Sequence, residues 1–178
     1  LERPDLALGL LLDVSGSMLG FMHVVEQTAA VFAEGLIRKP GVNFAAWTYT
    51  GGYTQVELTR ICDRRLGKLC LGNVAKGGGT PSGAAIAGVK VLMERMPERR
   101  KVLIHFTDGQ PDSAHHVTRG VQVCKEAGIR VYAIGAGSHM GSSLESQYGS
   151  GNWEVIGTVA ELPQAVARLV KRLESFQR

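Results

Sequence analysis

Five oxygen-bearing side chains stand where apolar or glycine-rich segments of this sequence end. They are Asp13, Ser15, Ser17, Thr80 and Asp108. Carboxylates with neighbouring hydroxyls form a ligand set for a hard cation, and they suit Mg²⁺ or Mn²⁺ better than zinc or copper. Open α/β sheets bind their ligands at the carboxyl ends of the strands. The residue types and positions therefore predict a magnesium or manganese site with at least one coordination position left for water or an external ligand.

The elements that must position these residues alternate between strands and helices. Apolar runs of strand length occur at Leu6–Leu12, Val42–Tyr49, Val102–Phe106, Ile129–Ile134 and Trp153–Ile156. Helical spacing of apolar residues occurs at Met22–Arg38, Ser82–Met96, Ala114–Ala127 and Leu162–Phe176. Nearly continuous apolar strands between amphipathic helices are typical of a mainly parallel sheet that is covered on both sides. The pattern predicts a three-layer α/β/α fold.

Two further segments complete the predicted fold. Thr54–Leu58 alternates polar and apolar residues after a pair of glycines, which predicts one short antiparallel edge strand paired with Val42–Tyr49. Gly135–Gly151 is rich in glycine and serine. This composition predicts a surface loop with at most a short helix around Leu144.

The prediction of a metal site depends on two strands being neighbours in the sheet. If Leu6–Leu12 and Val102–Phe106 are adjacent, the loops that carry the five oxygen ligands meet above one point. Local roles remain an alternative: the two serines and Thr80 could cap the helices that follow them, and Asp108 could close an Asx turn near Gln110. Capping does not require five residues from three loops to meet at one edge, so their shared arrangement favours the metal site.

The motifs Asp-x-Ser-x-Ser, Gly-Gly-Thr in a loop and Thr-Asp-Gly after a strand resemble those of the von Willebrand factor A domain and its metal-ion-dependent adhesion site (MIDAS). The resemblance covers nearly the whole chain and implies a Rossmann-like α/β fold. It implies that Ser15 and Ser17 bind Mg²⁺ or Mn²⁺ directly and that Thr80 joins them in the ligand-bound state. It also implies that Asp13 and Asp108 hold the metal largely through waters. A Glu or Asp of a partner protein would then supply the sixth ligand.

The resemblance also implies a class of partner and a function without catalysis. We expect a non-enzymatic protein-interaction module. The compact form without long insertions is similar to the intracellular bacterial branch, which includes domains of cobalt- and magnesium-chelatase subunits that work with ring-forming ATPases. An AAA+ ATPase subunit is therefore a candidate partner. Met18, Pro81 and Gln110 are the predicted partner contacts. Met18 and Leu19 could instead begin the packing face of the helix from Met22, and Leu19 is expected to do so rather than Met18.

Two other functions stay open at the level of the sequence. Metal-assisted hydrolysis or phosphoryl transfer at the same ion would need a general base, and only Asp112, His115 or His116 could serve. Asp112 could also approach the metal site from the loop after Asp108, but an outward-facing turn residue is expected. Nucleic-acid binding would use the basic helix faces, but the net charge is only +4 and the basic clusters are short rather than one continuous stripe.

Length and composition place bounds on the whole chain. With 178 residues, of which 44% are hydrophobic, we expect one domain over residues 1–178 with a full core. Cys62, Cys70 and Cys124 have no metal-type spacing, so neither a disulfide framework nor a zinc site is indicated. No stretch resembles a membrane span or a signal peptide, and a cytoplasmic setting is expected. Because the chain begins almost directly on its first predicted strand, we expect a domain excised from a longer protein.

Overall fold

Strands and helices alternate along the chain in the computed structural model, which describes residues 5–52, 55–72, 74, 76–137, 141–165 and 168–169. The strands are β1 (Leu6–Asp13), β2 (Val42–Gly52), β3 (Gln55–Asp63), β4 (Arg100–Thr107), β5 (Ile129–Ala136) and β6 (Trp153–Ile156). The helices are α1 (Met22–Leu36), α2 (Ser82–Glu94), α3 (Ala114–Glu126) and α4 (Gly141–Tyr148). A 3₁₀ helix, Gly16–Phe21, follows β1. Within the described ranges, no helix is both long enough and apolar enough to cross a membrane.

The strands form one sheet in the order β3-β2-β1-β4-β5-β6. β1 pairs in parallel with β2 on one side and with β4 on the other, and β2 with β3 is the one antiparallel pair among the described strands. Leu12 of β1 faces Phe106 of β4, so Asp13 and Thr107 follow on adjacent strands. The predicted fold class and the predicted adjacency of the two strands are confirmed. The carboxyl edge between β1 and β4 is a topological switch point, where such sheets bind ligands.

Both faces of the sheet are buried, which explains the continuous apolar strands. Leu8, Leu10 and Leu12 of β1 pack in the cluster that contains α1. Ala7 and Leu11 pack on the other face, in the cluster that contains α2 and α3. Burial of one leucine side chain contributes roughly 2 kcal/mol. The centre of the sheet therefore fixes β1 firmly, together with the residues that follow it.

The edge strand differs from its prediction in length. β3 has nine residues and continues to Asp63. Ile61 and Cys62, beyond the predicted end at Leu58, are fully buried, and their burial explains why the strand extends this far. The pairing register shifts between Ala46 and Trp47 of β2, whose partners are Cys62 and Arg60, so Ile61 is the extra residue on β3. The antiparallel orientation at the sheet edge is confirmed, and the strand is longer than predicted.

Two other predictions are tested only in part. Thr54, the first residue of the predicted edge strand, lies outside the described residues. Of the predicted last helix, Leu162–Phe176, only residues 162–165 and 168–169 are described, and these are helical. α4 confirms the short helix around Leu144, whose side chain is fully buried.

The start of α2 is held against α3 by a contact that requires glycine. A Cβ atom on Gly83 would lie 2.5 Å from the backbone carbon and oxygen of His116. A Cβ atom on Gly120 of α3 would lie 3.1 Å from the carbonyl oxygen of Gly83. The two helix backbones therefore meet directly. This contact fixes the point at which α2 begins, two residues after Thr80.

Gly83→Ala is expected to destabilise the fold by about 1–3 kcal/mol, because the added methyl group must push α2 and α3 apart. Gly35→Ala in α1 is the matched control, since nothing lies within 4 Å of its added Cβ. That control should be neutral or stabilising by up to about 1 kcal/mol. Urea denaturation followed by circular dichroism measures both free energies of unfolding. Equal stability of the two variants would contradict the close helix contact.

Candidate metal centre

Three loops carry the predicted ligands at the carboxyl edge of the sheet: loop 1 (residues 14–17), loop 2 (residues 77–81) and loop 3 (residues 108–112). Two backbone hydrogen bonds join loops 1 and 2. The Gly16 amide donates to the Gly78 carbonyl at 2.9 Å, and the Gly77 amide donates to the Val14 carbonyl at 2.8 Å. Gly78 has a φ of +81°, a conformation that strains other residues. The main chain therefore holds the two serines of loop 1 beside loop 2.

The β2–β3 hairpin supports loop 2 from the sheet side. The Gly79 amide donates to the Gly51 carbonyl at 2.6 Å, and the Thr50 hydroxyl donates to the Gly77 carbonyl. A Cβ atom on Gly79 would lie 3.1 Å from the Gly51 oxygen and 3.1 Å from a carboxylate oxygen of Asp112. Loop 2 is thus packed between the hairpin and loop 3 with little room for a side chain at this position.

Asp112 joins loop 3 to loop 2. The Thr80 amide donates to Oδ1 of Asp112 at 2.9 Å, and the Asp112 amide donates to the Thr80 carbonyl at 2.9 Å. Asp112 is exposed, as expected of an outward turn residue, but its carboxylate is directed to the backbone of a predicted metal ligand. Sequence reasoning missed this role, since no local pattern connects residues 32 positions apart.

Asp13 lies at the end of β1 and is fully buried. Its Oδ1 accepts the Ser15 amide at 2.9 Å, and its Oδ2 accepts the Thr107 hydroxyl at 3.3 Å. Burial is the main reason why the pKa of Asp13 is raised from 3.8 to about 6. The negative charge of Asp108 also raises this pKa, while the hydrogen bonds from Ser15 lower it. A cation close to Asp13 would favour the charged form of its carboxylate.

The two serine hydroxyls are placed as adjacent ligands of one ion would be. The Oγ atoms of Ser15 and Ser17 lie 3.2 Å apart. Adjacent ligands of an octahedral ion with bonds of about 2.1 Å lie about 3 Å apart. Ser15 is buried and Ser17 is exposed, so the pair opens to solvent on one side. Ser15 precedes the 3₁₀ helix without a side-chain capping bond, and α1 begins after Phe21, so neither serine caps the helix.

Asp108 and Thr80 are both buried at the same edge. Oδ1 of Asp108 accepts the Gln110 amide at 3.0 Å, so the Asx turn considered as an alternative is present. Thr80 does not cap α2, because Pro81 occupies the position before the helix and no side-chain capping bond forms there. The Thr80 hydroxyl has no hydrogen-bond partner in the part of the chain that the structure describes. It is therefore available as a ligand.

The 3₁₀ helix reverses two expectations for the rim of the site. Met18, predicted as a partner contact, is fully buried in the core cluster that contains α1. The turn closed by the Met18 amide on the Ser15 carbonyl, at 3.1 Å, directs this side chain inward. Leu19, expected to pack, is instead 56% exposed. Gln110 is exposed and Pro81 is half-buried, so both remain accessible at the rim.

The donor set fits a hard divalent cation. Across the described ranges, no group of three or more His, Cys, Asp or Glu side chains could hold a metal, so a site here must use hydroxyl oxygens. All five predicted ligands are oxygen donors, which Mg²⁺ and Mn²⁺ prefer. His115 and His116 are exposed at the start of α3, where Ser113 caps the helix. The two histidines are therefore solvent-exposed residues of the first turn of α3, as the sequence indicates.

A family model described as the von Willebrand factor type A domain matches residues 8–168. The chain belongs to this family. Among curated proteins, this von Willebrand factor type A domain is similar to Protein NorD of Brucella suis biovar 1 (strain 1330), with 25% identity over 197 aligned residues. The alignment covers 97% of this chain and spans only 31% of the length of that relative. Members of the family are metal-dependent interaction modules.

Solved structures share the fold of this domain. One is proximal thread matrix protein 1 from the mussel byssus with a zinc-occupied MIDAS motif, which has a TM-score of 0.71 at 17% identity. The match covers 96% of this chain and 46% of the mussel chain. Another is the manganese-loaded TRAP protein of Plasmodium vivax, which has a TM-score of 0.63 at 15% identity. The match covers 91% of this chain and 72% of the TRAP chain. Zinc and manganese belong to those two proteins, and the similarity shows a common fold.

Asp13→Asn is expected to stabilise the metal-free domain at about pH 8, because a neutral amide replaces a buried charge. The pKa of about 6 in the folded state lies above the usual 3.8, so stability conferred by the neutral carboxyl is lost as pH rises from about 4 through about 6. The gain should be about 3 kcal/mol at high pH and should shrink toward zero near pH 4.

Urea denaturation in EDTA across this pH range measures the effect of Asp13→Asn. Glu57→Gln, at an exposed position of β3, is the control, and its stability profile should run parallel to that of the wild-type domain. Parallel stability profiles for Asp13→Asn and the wild-type domain would contradict the burial of a charged carboxylate.

Proposed function

We propose that this domain is a metal-dependent protein-interaction module whose MIDAS is completed by a Glu or Asp of a partner protein. The observation that carries the proposal is the pair of hydroxyls of Ser15 and Ser17, 3.2 Å apart and open to solvent at Ser17. Asp13, directly before them, is buried and carries charge that only a few hydrogen bonds satisfy. The open side allows an acidic side chain of another protein to approach.

The different roles of the five candidate ligands in metal binding favour an anionic partner. Ser15 and Ser17 supply neutral hydroxyls as direct ligands, while Asp13 and Asp108 orient waters and supply negative charge from behind. The Thr80 hydroxyl joins the ligands when the partner binds. Because the direct ligands are neutral, they leave much of the +2 charge of a bound Mg²⁺ or Mn²⁺ unbalanced. The ion therefore attracts the carboxylate of the partner.

Magnesium is the proposed metal, with manganese as the close substitute. The donor set contains oxygen atoms alone, and such sets suit Mg²⁺ and Mn²⁺ more than soft metals. The zinc and manganese in the two structural neighbours support a divalent site in this fold. With few charged ligands, the metal-free domain should bind Mg²⁺ weakly, because Mg²⁺ gives up its waters reluctantly.

The surroundings of the site favour binding over catalysis. A hydrolase would need a general base within hydrogen-bond reach of its substrate. Asp112, the candidate base in loop 3, has its carboxylate directed to the Thr80 amide at 2.9 Å. His115 and His116 belong to the exposed start of α3. We therefore propose a module without enzymatic activity of its own.

The proposed partner is a protein of a bacterial cytoplasm that presents a Glu or Asp to the metal, with an AAA+ ATPase subunit as the candidate. The similarity to Protein NorD of Brucella supports a bacterial branch of the family. The compact form of the domain is similar to chelatase-subunit domains, which work with ring-forming ATPases. In this arrangement the ATPase subunit, or a protein handled by it, presents the Glu or Asp to the site.

Ser15→Ala combined with Ser17→Ala should abolish metal-dependent partner binding with little loss of stability. Each hydroxyl is the hydrogen-bond partner of the other, so removing both leaves neither of the two unsatisfied. The wild-type domain and the double variant are immobilised and exposed to a bacterial lysate with Mg²⁺ or with EDTA. Retained proteins are identified by mass spectrometry and produced in pure form.

Binding of the purified partner to the wild-type domain and to the double variant tests the proposal. The proposal requires binding that is lost in EDTA, lost with the double variant and lost when one Glu or Asp of the partner is replaced by Ala. Thr118→Ala, which removes an exposed hydroxyl of α3, should bind as the wild-type domain does. Binding that persists in EDTA would contradict the proposal. Unfolding of the double variant would assign a structural role to the two serines.

Leu19 should add an apolar contact beside the acidic residue of the partner. It is 56% exposed two residues after Ser17, and covering an exposed leucine contributes roughly 1–2 kcal/mol. Leu19→Ala should therefore weaken partner binding about tenfold, in biolayer interferometry with the pure partner, without loss of fold stability. Val91→Ala, which truncates a 46% exposed residue of α2, is the matched control. Equal effects of the two variants would exclude a specific contact by Leu19.

A further inference from the structure

α4 contacts loop 3 although no ligand motif lies in this helix. The Ser143 hydroxyl donates to the carbonyl of Gly109 at 2.8 Å, and Nε2 of Gln147 donates to the same oxygen at 3.3 Å. Nε2 of Gln147 also donates to the Ser143 hydroxyl at 2.8 Å. Gln147 is buried and Ser143 is half-buried. The helix therefore binds one carbonyl group of loop 3 with two side-chain donors.

The bound carbonyl belongs to the residue that sets the shape of loop 3. Gly109 has a φ of +72°, so it can turn the chain between Asp108 and Gln110 in a way that strains other residues. The Gln110 amide, which follows the bound carbonyl in the same peptide group, donates to Oδ1 of Asp108 at 3.0 Å. The plane of this peptide group therefore fixes where the Asp108 carboxylate lies.

A buried chain of hydrogen bonds connects α4 to the start of α2 as well. The Tyr148 hydroxyl bonds to Nδ1 of His105, whose Nε2 bonds to the Tyr49 hydroxyl at 2.8 Å. The Tyr49 hydroxyl also bonds to the hydroxyl of Ser82 at 2.8 Å. The Ser82 amide donates to the carbonyl of Thr80 at 2.8 Å. Thus a second path from α4 ends at a predicted metal ligand.

Both paths contain a buried polar side chain, Gln147 in the first and His105 in the second. Burial lowers the pKa of His105 to about 3, so its ring is neutral and bonds to one tyrosine through each nitrogen. Buried polar groups stabilise a fold little in net terms, but a fully bonded network fixes the groups that it joins. Such a network is expected where a site needs fixed loops.

We propose that α4 positions the metal site, with Ser143 and Gln147 as positioning residues for loop 3 and Tyr148 acting through His105 on loop 2. The inference rests on the proposed function, because it assigns these residues to the same metal site. Removing the two donors should free the peptide group that follows Gly109. The Asp108 carboxylate would then have to be ordered when the metal binds, which weakens the affinity. Loss of partners behind metal ligands typically costs 10–100-fold in affinity.

The test combines Ser143→Ala with Gln147→Leu, which removes both donors to Gly109. In the metal-free domain, hydrogen exchange at the amides of Gly109 and Gln110 should become at least about tenfold faster. Titration calorimetry should show Mn²⁺ binding about tenfold weaker or more. Ser143→Ala alone keeps Gln147 on the carbonyl, so it should have a smaller effect and serves if the double variant does not fold.

Val42→Ala is the control for lost stability alone. Val42 is buried where β2 begins, at the sheet edge opposite the ligands, and its truncation lowers stability without touching the three loops. Equal loss of Mn²⁺ affinity in this control would overturn the positioning role. Unchanged exchange at Gly109 and Gln110 would also overturn it. Absence of Mn²⁺ binding by the wild-type domain would instead refute the proposed function, and the exchange rates would still decide whether α4 holds loop 3.

Discussion

A carboxylate buried at the end of the central strand is the constraint on which this site depends. Asp13 ends β1, which has a parallel neighbour on each side, and it has no exposed surface. Two hydrogen bonds reach it from Ser15 and Thr107, while Asp108 repels its charge. We therefore expect the metal-free fold to be less stable than it would be with a neutral residue at this position. The same unbalanced charge would attract a cation, so lower stability without metal and the proposed metal binding have one cause.

The other candidate ligands are held in place by contacts between loops rather than by regular structure. Gly16 and Gly77 join loops 1 and 2 through the main chain, and Asp112 joins loops 2 and 3. Gly83 sets the start of α2 by direct contact with the backbone of α3. Each of these contacts needs either a glycine or one carboxylate in a single position. The pair formed by Ser15 and Ser17 can then remain open to solvent on the side of Ser17, because the loops behind it are fixed.

The sequence predicts the strands that position the candidate ligands well and the packing around these residues poorly. β1 and β4 are recognisable because buried parallel strands are continuously apolar, and their adjacency brings Asp13 and Asp108 together. Met18 is buried and Leu19 is exposed, which is the reverse of what is expected from the sequence. The reason is that a 3₁₀ turn changes the direction of successive side chains in a way that helical periodicity does not indicate. The bond of Gln147 to loop 3 joins residues 38 positions apart, and no local pattern carries such a contact.

The position of a bound cation tests the central claim most directly. Crystals of the domain grown with Mn²⁺ allow the metal to be located by anomalous scattering. The account predicts a strong peak about 2.2 Å from the hydroxyl oxygens of Ser15 and Ser17, and no peak there when both residues are replaced by alanine. A peak at another place, such as His115 and His116, would contradict the account. An ordered crystal in millimolar Mn²⁺ without any peak between loops 1, 2 and 3 would contradict it as well.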